Sequence, residues 1–355
     1  MKQDTKKPKQ GGPSPKGAPA APSSASVSAP KNLLANSTVI LVLFVIFLAA
    51  YIITRNIILG LIAGALLLYV LYLDVKKSVK EHGWKSEIKD VVIAAVVAVG
   101  IWLGLSLILG TPSPLNAVVS CSMLPELQRG DMIVLQGGDV NAYLVQLSAA
   151  DVNSITGEGA VYYGGSKVAD VNGSMLAYCS YSQYSSGEDC QKLRAEPENF
   201  EEKHGPVTFA YGRCARKAVE TGAVSEIVCV KSVTVGTKDG DVRLNFDDPD
   251  FKGYNVIVYT PKKTDAFSNV GDIIHRALFA FKTEDGKIYY LTKGDNNPIF
   301  DLQMYSPDYG TNSLVSKEQS KGRILARIPY AGYIKLILFG MVSTPSGCDS
   351  YIDYG

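Results

Sequence analysis

The sequence predicts a mainly β domain that is anchored to a membrane by transmembrane helices near its N-terminus. Three long uncharged apolar stretches lie within the first 110 residues. After Pro112, short runs rich in β-branched and aromatic residues alternate with Gly, Asn and Asp, which is typical of strands and turns. The chain is 46% hydrophobic and 19% charged with a net charge of +1, which argues against a wholly disordered chain and against a nucleic-acid-binding protein.

Residues 1–36 are expected to form a disordered basic tail. This tail carries six lysines against one acid, Asp4, and is otherwise rich in Pro, Ala, Ser and Gly. Such a composition cannot bury a hydrophobic core. The tail is also too long and too rich in proline to be the charged end of a cleavable signal peptide.

The membrane region is expected to span residues 37–110. Its uncharged stretches are residues 37–54, 56–73 and 91–110. Each is long enough for a transmembrane helix, which needs about 17–25 apolar residues, and none shows the polar face of a soluble helix. Because little more than Arg55 separates the first two stretches, two helices in a tight hairpin and one long tilted helix are both open. The region therefore holds two to three transmembrane helices.

The distribution of lysine predicts the orientation in the membrane. Residues 74–90 are predicted to form a loop with five lysines and four acids, and the N-terminal tail is basic as well. Since basic segments stay on the cytoplasmic side, both are expected there. An odd number of crossings then places everything after Gly110 outside the cytoplasm.

Residues 111–355 are expected to form an extracytoplasmic β-rich domain. The predicted strands lie in DMIVL, AVYYGG, GPVTFAYG, SEIVCVKSVTVGT, YNVIVYTP, KIYYLTKGD and GRILARIPY. Helical periodicity is scarce, and residues 214–227 form the one plausible short helix, with a hairpin as the alternative. The last apolar run, residues 336–342, is too short to span a membrane.

Six cysteines occur, and none of their spacings matches a metal site. If the domain faces an oxidising exterior, the four central cysteines allow two disulfides. The simplest of three connectivities pairs neighbours, Cys179 with Cys190 and Cys214 with Cys229. Cys121 is expected to be a buried thiol that fills apolar space. No cofactor and no metal are expected.

A set of polar residues offers the parts of a serine protease. Ser122 follows the third apolar stretch closely, in VVSCSMLPELQRGDMIVL, and offers a nucleophile. His275, in the strand-like run GDIIHRALF, offers a general base, and the turn YYLTKGDNNPIFD supplies Asp295 and Asp301. By contrast, His204 lies in a charged stretch that indicates an exposed position.

Five short segments resemble the conserved boxes of type I signal peptidases and occur in that family's order. The segments are SCSMLPELQRGDMIVL, YNVIVYTP, DIIHRALF, YLTKGDNNPIFD and GRILARIPYAGYI, and they cover about a quarter of the chain. Bacterial members of the family have a lysine at the position of the base. His275 at that position resembles the archaeal and endoplasmic-reticulum type, which uses Ser, His and Asp.

The resemblance implies a signal-peptidase-like β catalytic domain with a defined set of site residues. By position, Ser122 is implied to be the nucleophile, His275 the general base, and Asp301 the acid that orients the base. Ser120 matches a position whose hydroxyl completes the oxyanion hole. Asp295 matches a second family aspartate, with a structural or an assisting role.

The implied activity is that of a membrane-bound serine endopeptidase that removes signal peptides from exported preproteins at the outer membrane face. The expected partners are signal peptides of secretory preproteins, membrane lipid and the secretion translocon, and no nucleic acid. The expected location is a cell membrane that the chain crosses several times, with an archaeal plasma membrane favoured over the endoplasmic reticulum.

Two departures from the family pattern leave alternatives open. Cys121 stands where the family has glycine, so a positive φ at this position would strain the backbone. About 110 residues, Asn141 to Asp250, replace a short connection; this insert is either a rigid β extension or a module that screens substrates or binds a partner. A Ser–Lys protease with Lys293 as base and a catalytically degenerate, membrane-anchored binding protein are the rival functions.

Overall fold

The computed structural model describes residues 37–54, 57–341 and 343–354. The expected basic tail, residues 1–36, lies outside the described residues. The chain divides into two compact units, Met1–Val97 and Ala98–Gly355.

The helices and 3-10 turns of the described chain have the following bounds. The helices are α1 (Ser37–Thr54), α2 (Ile57–His82), α3 (Trp84–Leu109), α4 (Ala149–Ile155), α5 (Met175–Ser180), α6 (Glu188–Ala195) and α7 (Tyr333–Leu338). The 3-10 turns are Pro197–Asn199, Pro249–Gly253, Asp301–Gln303 and Lys317–Gln319.

Two helical segments in the described residues are long and apolar enough to cross a membrane. They are Ile58–Glu81 within α2 and Trp84–Leu109, which is α3; a shorter apolar segment, Thr38–Tyr51, lies within α1. The first two apolar stretches lie in α1 and α2, and the two residues between them lie outside the described part of the chain.

Residues 74–90 are helical apart from Gly83, so the prediction of a loop is wrong. Gly83 has a φ of 78°, which ends α2 in the left-handed conformation that glycine adopts without strain. The Ser78 hydroxyl donates to the Glu87 carboxylate across this break. Lys and Glu are good helix formers, so the charged segment extends both apolar helices instead of interrupting them.

The strands of the β-rich unit have the following bounds. They are β1 (Leu115–Ala117), β2 (Met132–Gln136), β3 (Tyr143–Gln146), β4 (Gly159–Tyr163), β5 (Ser166–Val171), β6 (Phe200–His204), β7 (Val207–Ala218), β8 (Val224–Val235), β9 (Val242–Asn245), β10 (Val256–Tyr259), β11 (Ile273–Lys282), β12 (Ile288–Lys293), β13 (Tyr305–Ser306), β14 (Gly310–Thr311), β15 (Val315–Ser316), β16 (Ser320–Ile328) and β17 (Ser350–Asp353). All seven runs predicted as strands contain one. The unit is therefore mainly β, as the sequence predicts.

The first sheet carries the segments that resemble family boxes. Its strand order is β1-β2-β16-β10-β11-β12-β15, and β3 pairs with β11 in parallel. The other pairings are antiparallel. Because β10 and β12 flank β11, residues from three of the boxes become neighbours on adjacent strands.

The insert forms most of a second sheet, with the order β5-β4-β6-β7-β8-β9. The C-terminal strand β17 pairs with β7 in the same sheet. Residues 214–227 form the β7–β8 hairpin, so the hairpin alternative is correct and the helix is wrong. Gly222, with a φ of 68°, allows the turn, and β7 pairs with β17 as well as with β6 and β8, which a short helix could not do.

The two sheets share one hydrophobic core. Phe209 and Phe246 from the insert, Phe279 and Phe281 from β11, and Phe300 belong to a single cluster of buried side chains. Each of the five is at most 1% exposed. Burying aromatic rings of this size contributes a large part of the stability of a domain. The insert is thus packed directly against the strand that carries His275.

His204 is buried, so the expectation of an exposed position is wrong. Alternate residues of β6 point inwards, and this places Glu202 and His204 in the core at 0% and 1% exposure. His204 Nε2 lies 2.9 Å from Glu202 Oε1, and Glu202 also accepts from the Tyr211 hydroxyl at 2.7 Å. These contacts give hydrogen-bond partners to Glu202 and to His204 Nε2, whereas His204 Nδ1 is buried without a partner among the described residues.

Candidate active site

Ser122 lies on a loop, residues 118–131, that we call the serine loop. Two backbone hydrogen bonds close its base: Val118 N–H donates to Asp131 O, and Gly130 N–H donates to Val118 O, both at 2.9 Å. Gly130 has a φ of 91°, and a β-carbon there would collide with a tyrosine ring. The Arg-Gly-Asp sequence therefore closes the serine loop, and its middle position requires glycine.

Apolar side chains on the serine loop anchor it to the first sheet. Met123 is 1% exposed and Leu127 is 4% exposed. Both belong to a buried cluster with Val256 and Val258 of β10. This packing holds Ser122, which lies beside Met123 in sequence, above the strands that supply the other site residues.

Ser122, His275 and Asp301 are brought together by three different elements. His275 projects from β11, opposite Ile257 of β10, and its Nε2 lies 3.0 Å from Ser122 Oγ. Its Nδ1 lies 2.8 Å from each carboxylate oxygen of Asp301. His275 is 4% exposed and Asp301 is 2% exposed, so the histidine and its carboxylate are shielded from water.

Neighbouring side chains fix the orientation of the Asp301 carboxylate. Tyr259 OH donates to Asp301 Oδ2 at 2.9 Å, and Thr292 Oγ1 donates to the same oxygen at 2.5 Å. Asn312 Nδ2 donates to the Asp301 backbone carbonyl at 2.7 Å. Burial and the adjacent carboxylate raise the pKa of Tyr259 well above its usual value, so this phenol stays a donor. The sequence analysis did not single out these three supporting residues, although Tyr259 and Thr292 lie within two of the boxes. Asn312 lies outside the five boxes.

Ser120 lies beside the candidate nucleophile. Its hydroxyl oxygen is 3.2 Å from Ser122 Oγ, and its side chain is exposed. A hydroxyl in this position has the freedom to rotate towards an oxygen bound next to Ser122.

Asp295 pairs with an arginine and makes no direct contact with the histidine. Arg276 Nε and Arg276 Nη2 donate to its two carboxylate oxygens at 2.9 and 2.6 Å. Arg276 also donates to the backbone carbonyls of Lys252 and Tyr254 at 2.8 and 2.6 Å. Of the two roles open for Asp295, this two-pronged buried pair favours the structural one, because it ties the Lys-Gly-Asp turn to β11.

Lys293 is buried, and its amine bonds to groups other than the Ser122 hydroxyl. Its amine donates to Gly294 O at 3.2 Å and to Tyr354 OH at 2.6 Å, and it lies 5.0 Å from the centre of the Phe246 ring. Burial lowers the pKa of Lys293 to about 8. Such a pKa alone would suit a general base, yet the imidazole of His275 occupies the position next to Ser122 Oγ.

Gly294 leaves open the space between the serine loop and His275. A β-carbon at this position would lie 2.8 Å from His275 Nε2, 2.8 Å from Ser122 O and 2.7 Å from Asn297 Nδ2. Contacts this short require a shift of the surrounding atoms. Glycine is therefore needed at position 294 of the Lys-Gly-Asp turn, because the backbone there approaches His275 and the serine loop closely.

The cysteines form three disulfides in the structure. These are Cys179–Cys190, Cys214–Cys229 and Cys121–Cys348. The expectation that Cys121 is a free thiol is wrong. The cysteine count held a signal, since pairing of the central four cysteines leaves Cys121 and Cys348 as the remaining two.

The backbone at Cys121 lacks the strain that a positive φ would cause. Among the described residues other than glycine, Tyr330 is the one with a positive φ. A side chain is therefore accommodated where the family has glycine, and the extra atoms are used in a covalent bond.

The arrangement has the chemistry of a serine nucleophile activated by a general base. A hydroxyl lies 3.0 Å from an imidazole nitrogen, and the other nitrogen of that ring faces a buried carboxylate. This is the geometry in which histidine removes a proton from serine and the carboxylate stabilises the imidazolium that forms. Within the described ranges, no group of three or more His, Cys, Asp or Glu residues is placed to hold a metal ion.

Comparison with known proteins identifies relatives of the chain. No family model matches. The signal peptidase complex catalytic subunit SEC11C of Homo sapiens is 31% identical over 124 residues, which are 34% of this chain and 60% of the relative. The subunit SEC11 of Plasmodium falciparum is 30% identical over 120 residues, 33% of this chain and 61% of the relative. The subunit sec11 of Dictyostelium discoideum is 28% identical over 95 residues, 27% of this chain and 49% of the relative.

The matched region covers about three fifths of the length of the human and Plasmodium relatives. It confirms the resemblance that the five boxes predict, and it accords with the mainly β unit that follows apolar helices. The chain is thus related to the SEC11-type catalytic subunits of the signal peptidase complex and has a signal-peptidase-like β fold.

Proposed function

We propose that this protein is a membrane-bound serine endopeptidase that cleaves signal peptides from exported preproteins. The observation that carries the proposal is the chain of contacts from Ser122 Oγ through His275 to Asp301, at 3.0 and 2.8 Å. It occurs in a protein whose relatives are named catalytic subunits of the signal peptidase complex.

In the proposed mechanism, Ser122 Oγ attacks the carbonyl carbon of the scissile peptide bond. His275 Nε2 accepts the hydroxyl proton, and the Asp301 carboxylate stabilises the resulting imidazolium. The oxygen of the tetrahedral intermediate accepts hydrogen bonds from the Ser122 backbone N–H and from the Ser120 hydroxyl. The imidazolium then gives its proton to the departing amine. Water, activated by the same histidine, releases the acyl group from Ser122.

The attachment of α3 to the first sheet supports a site close to the membrane surface. Gly137 N–H donates to Leu109 O at 2.8 Å, and Thr111 Oγ1 donates to Lys321 O at 2.5 Å. The apolar helix therefore ends directly at the first sheet, to which the serine loop is anchored. The apolar segment of a signal peptide ends at the same level, before the small residues that precede the cleaved bond. Holding enzyme and substrate in one bilayer raises their effective concentration.

The two rival functions have less support. A Ser–Lys enzyme would need the amine of Lys293 at Ser122 Oγ, whereas that amine bonds to Gly294 and Tyr354. A degenerate binding protein would need no intact proton pathway, whereas Ser122, His275 and Asp301 are all present and in contact.

Cleavage of a preprotein by the full chain in detergent micelles tests the proposal. We expect one cut, directly after small residues at the −1 and −3 positions, and mass spectrometry of the products locates it. The matched control is the same preprotein with a bulky aromatic residue at −1, which should stay intact. Failure to cut the first preprotein would contradict the proposal, and indiscriminate cutting of both would indicate a general peptidase.

In the proposed orientation, the chain crosses the membrane several times and the β-rich unit lies outside the cytoplasm. The proposed membrane is an archaeal plasma membrane. Protease added to sealed, right-side-out vesicles should digest this unit and spare the tail of residues 1–36, because the basic segments stay inside. Antibodies to each part would identify the protected fragment. Digestion of the tail with protection of the β-rich unit would reverse the topology.

Gly294→Ala should lower the rate of preprotein cleavage on the order of 10²-fold, since the new methyl group displaces His275 Nε2 or Ser122 from the reacting geometry. The measurement is kcat on one preprotein. Gly253→Ala is the matched control, because a β-carbon at Gly253 meets no atom within 4 Å. Equal kcat values for the two variants would show that the close approach at Gly294 has no catalytic importance.

A further inference from the structure

We propose that the second sheet positions the nucleophile, through the C-terminal segment and the Cys121–Cys348 disulfide, so that the site is fully assembled only when this disulfide is closed. The inference rests on the proposed function and gives the insert a role in it. It makes Cys121 and Cys348 positioning residues, since neither touches the reacting atoms.

The disulfide joins the serine loop to the second sheet. Cys121 directly precedes Ser122, and Cys348 lies two residues before β17 begins. The strand β17 pairs with β7, the central strand of the insert, from Ser350 opposite Ala218 to Asp353 opposite Ala215. The main chain beside the nucleophile is therefore held covalently by a segment whose own position depends on the insert.

Asn296 strengthens the same connection without a covalent bond. Its Nδ2 donates to Cys121 O at 3.0 Å and to Ser350 O at 2.9 Å, and its Oδ1 accepts from Ile352 N–H at 2.9 Å. Its own backbone N–H donates to Ser122 O at 2.7 Å. The Asn296 side chain thus contacts both the serine loop and β17, and its backbone contacts Ser122. We call the Cys121–Cys348 disulfide together with Asn296 the clamp.

The clamp matters because Ser122 and His275 lie on different elements, the serine loop and β11, and must be held in contact. Apolar packing holds one side of the loop, through Met123 and Leu127. The Cys121 side is tied by the disulfide and by Asn296. A shift of about 1 Å between nucleophile and base is enough to cost on the order of 10²-fold in rate. Opening the disulfide should therefore reduce turnover more than substrate binding.

This disulfide is also the one that a reductant can reach most easily. Cys348 is half-buried, whereas the four cysteines of the other two disulfides are at most 5% exposed. A dithiol reductant gives two electrons and two protons to the sulfur–sulfur bond, which becomes two thiols, and is itself oxidised to a disulfide. Since disulfides form outside the cytoplasm, the clamp would close only after export of the β-rich unit.

The first test compares two double variants that each remove one disulfide. Cys121→Ser/Cys348→Ser should lower kcat on the order of 10²-fold with KM changed less than about threefold, because the bound substrate meets a misplaced nucleophile. Cys179→Ser/Cys190→Ser, which opens the disulfide between α5 and α6, should keep most of the wild-type kcat. Equal kcat values for the Cys121→Ser/Cys348→Ser variant and wild type would overturn the proposal.

The second test needs neither activity nor a variant that folds as well as wild type. Hydrogen exchange of the wild-type protein is measured by mass spectrometry before and after mild reduction with dithiothreitol. We expect faster exchange in the serine loop, unchanged exchange in β11, and reversal on reoxidation. Unchanged exchange in the serine loop would refute the clamp even if the enzyme cuts preproteins. Faster exchange together with a wild-type protein that cuts no preprotein would instead refute the proposed function alone.

Discussion

Ser122→Ala is expected to lower the rate of preprotein cleavage on the order of 10⁴-fold or more, because the nucleophile acts as a unit with His275 and Asp301. The fold should survive the change. Ser122 is half-buried, and its hydroxyl contacts Ser120 Oγ and His275 Nε2, so the substitution removes little packing. The measurement is single-turnover cleavage of one preprotein, with circular dichroism to verify the fold.

Ser182→Ala is a suitable control for the nucleophile, because this serine is exposed in the insert. It should cleave at the wild-type rate. If Ser122→Ala cuts at a rate close to that of Ser182→Ala, then another group is the nucleophile and the mechanism proposed above is wrong.

His275→Ala should be nearly inactive, with a loss comparable to that of Ser122→Ala, since no other described base contacts Ser122 Oγ. Lys293→Met should keep substantial activity. Methionine retains much of the apolar volume of the buried lysine stem while removing the amine that bonds to Tyr354. The two variants are compared side by side on one preprotein, and thermal unfolding verifies that both are folded.

The opposite ranking would identify a Ser–Lys enzyme. In that case Lys293→Met would be inactive and His275→Ala would retain activity, although the lysine amine bonds to Gly294 and Tyr354 in the structure. If both variants kept near-wild-type activity, neither His275 nor Lys293 could be the essential base. The pair therefore separates the two enzyme mechanisms with one assay.

Local patterns in the sequence were sufficient to predict the fold class and to indicate which proteins the chain resembles. Runs of β-branched residues between turn residues predict strands, because strand propensity and turn chemistry act over a few neighbouring positions. Through their resemblance to a known family, the five boxes imply a signal-peptidase-like domain without any knowledge of contacts. The boxes also single out Ser122, His275 and Asp301, which the structure places in contact.

Long-range contacts account for what sequence patterns missed or left open. Nothing in the charged stretch around His204 shows that alternate β6 side chains face Phe209 and Phe300 in a shared core. The local pattern of residues 214–227 left a helix and a hairpin open, and the pairing of β7 with β17, more than 120 residues away, favours the hairpin. Propensity is a weak preference that such packing overrides.

The composition of the candidate site likewise depended on tertiary structure. The family pattern names Asp295 and Asp301 together, but the position of Arg276 on β11 directs Asp295 into an ion pair and leaves Asp301 to His275. Cys121 and Cys348 are 227 positions apart, so their bond is invisible to spacing rules. The residue types, the apolar stretches and the seven predicted strands can be read from local sequence, because propensity and turn chemistry act over neighbouring positions. Which residues meet in the site depends on the folded chain, because partners in space come from strands distant along the chain.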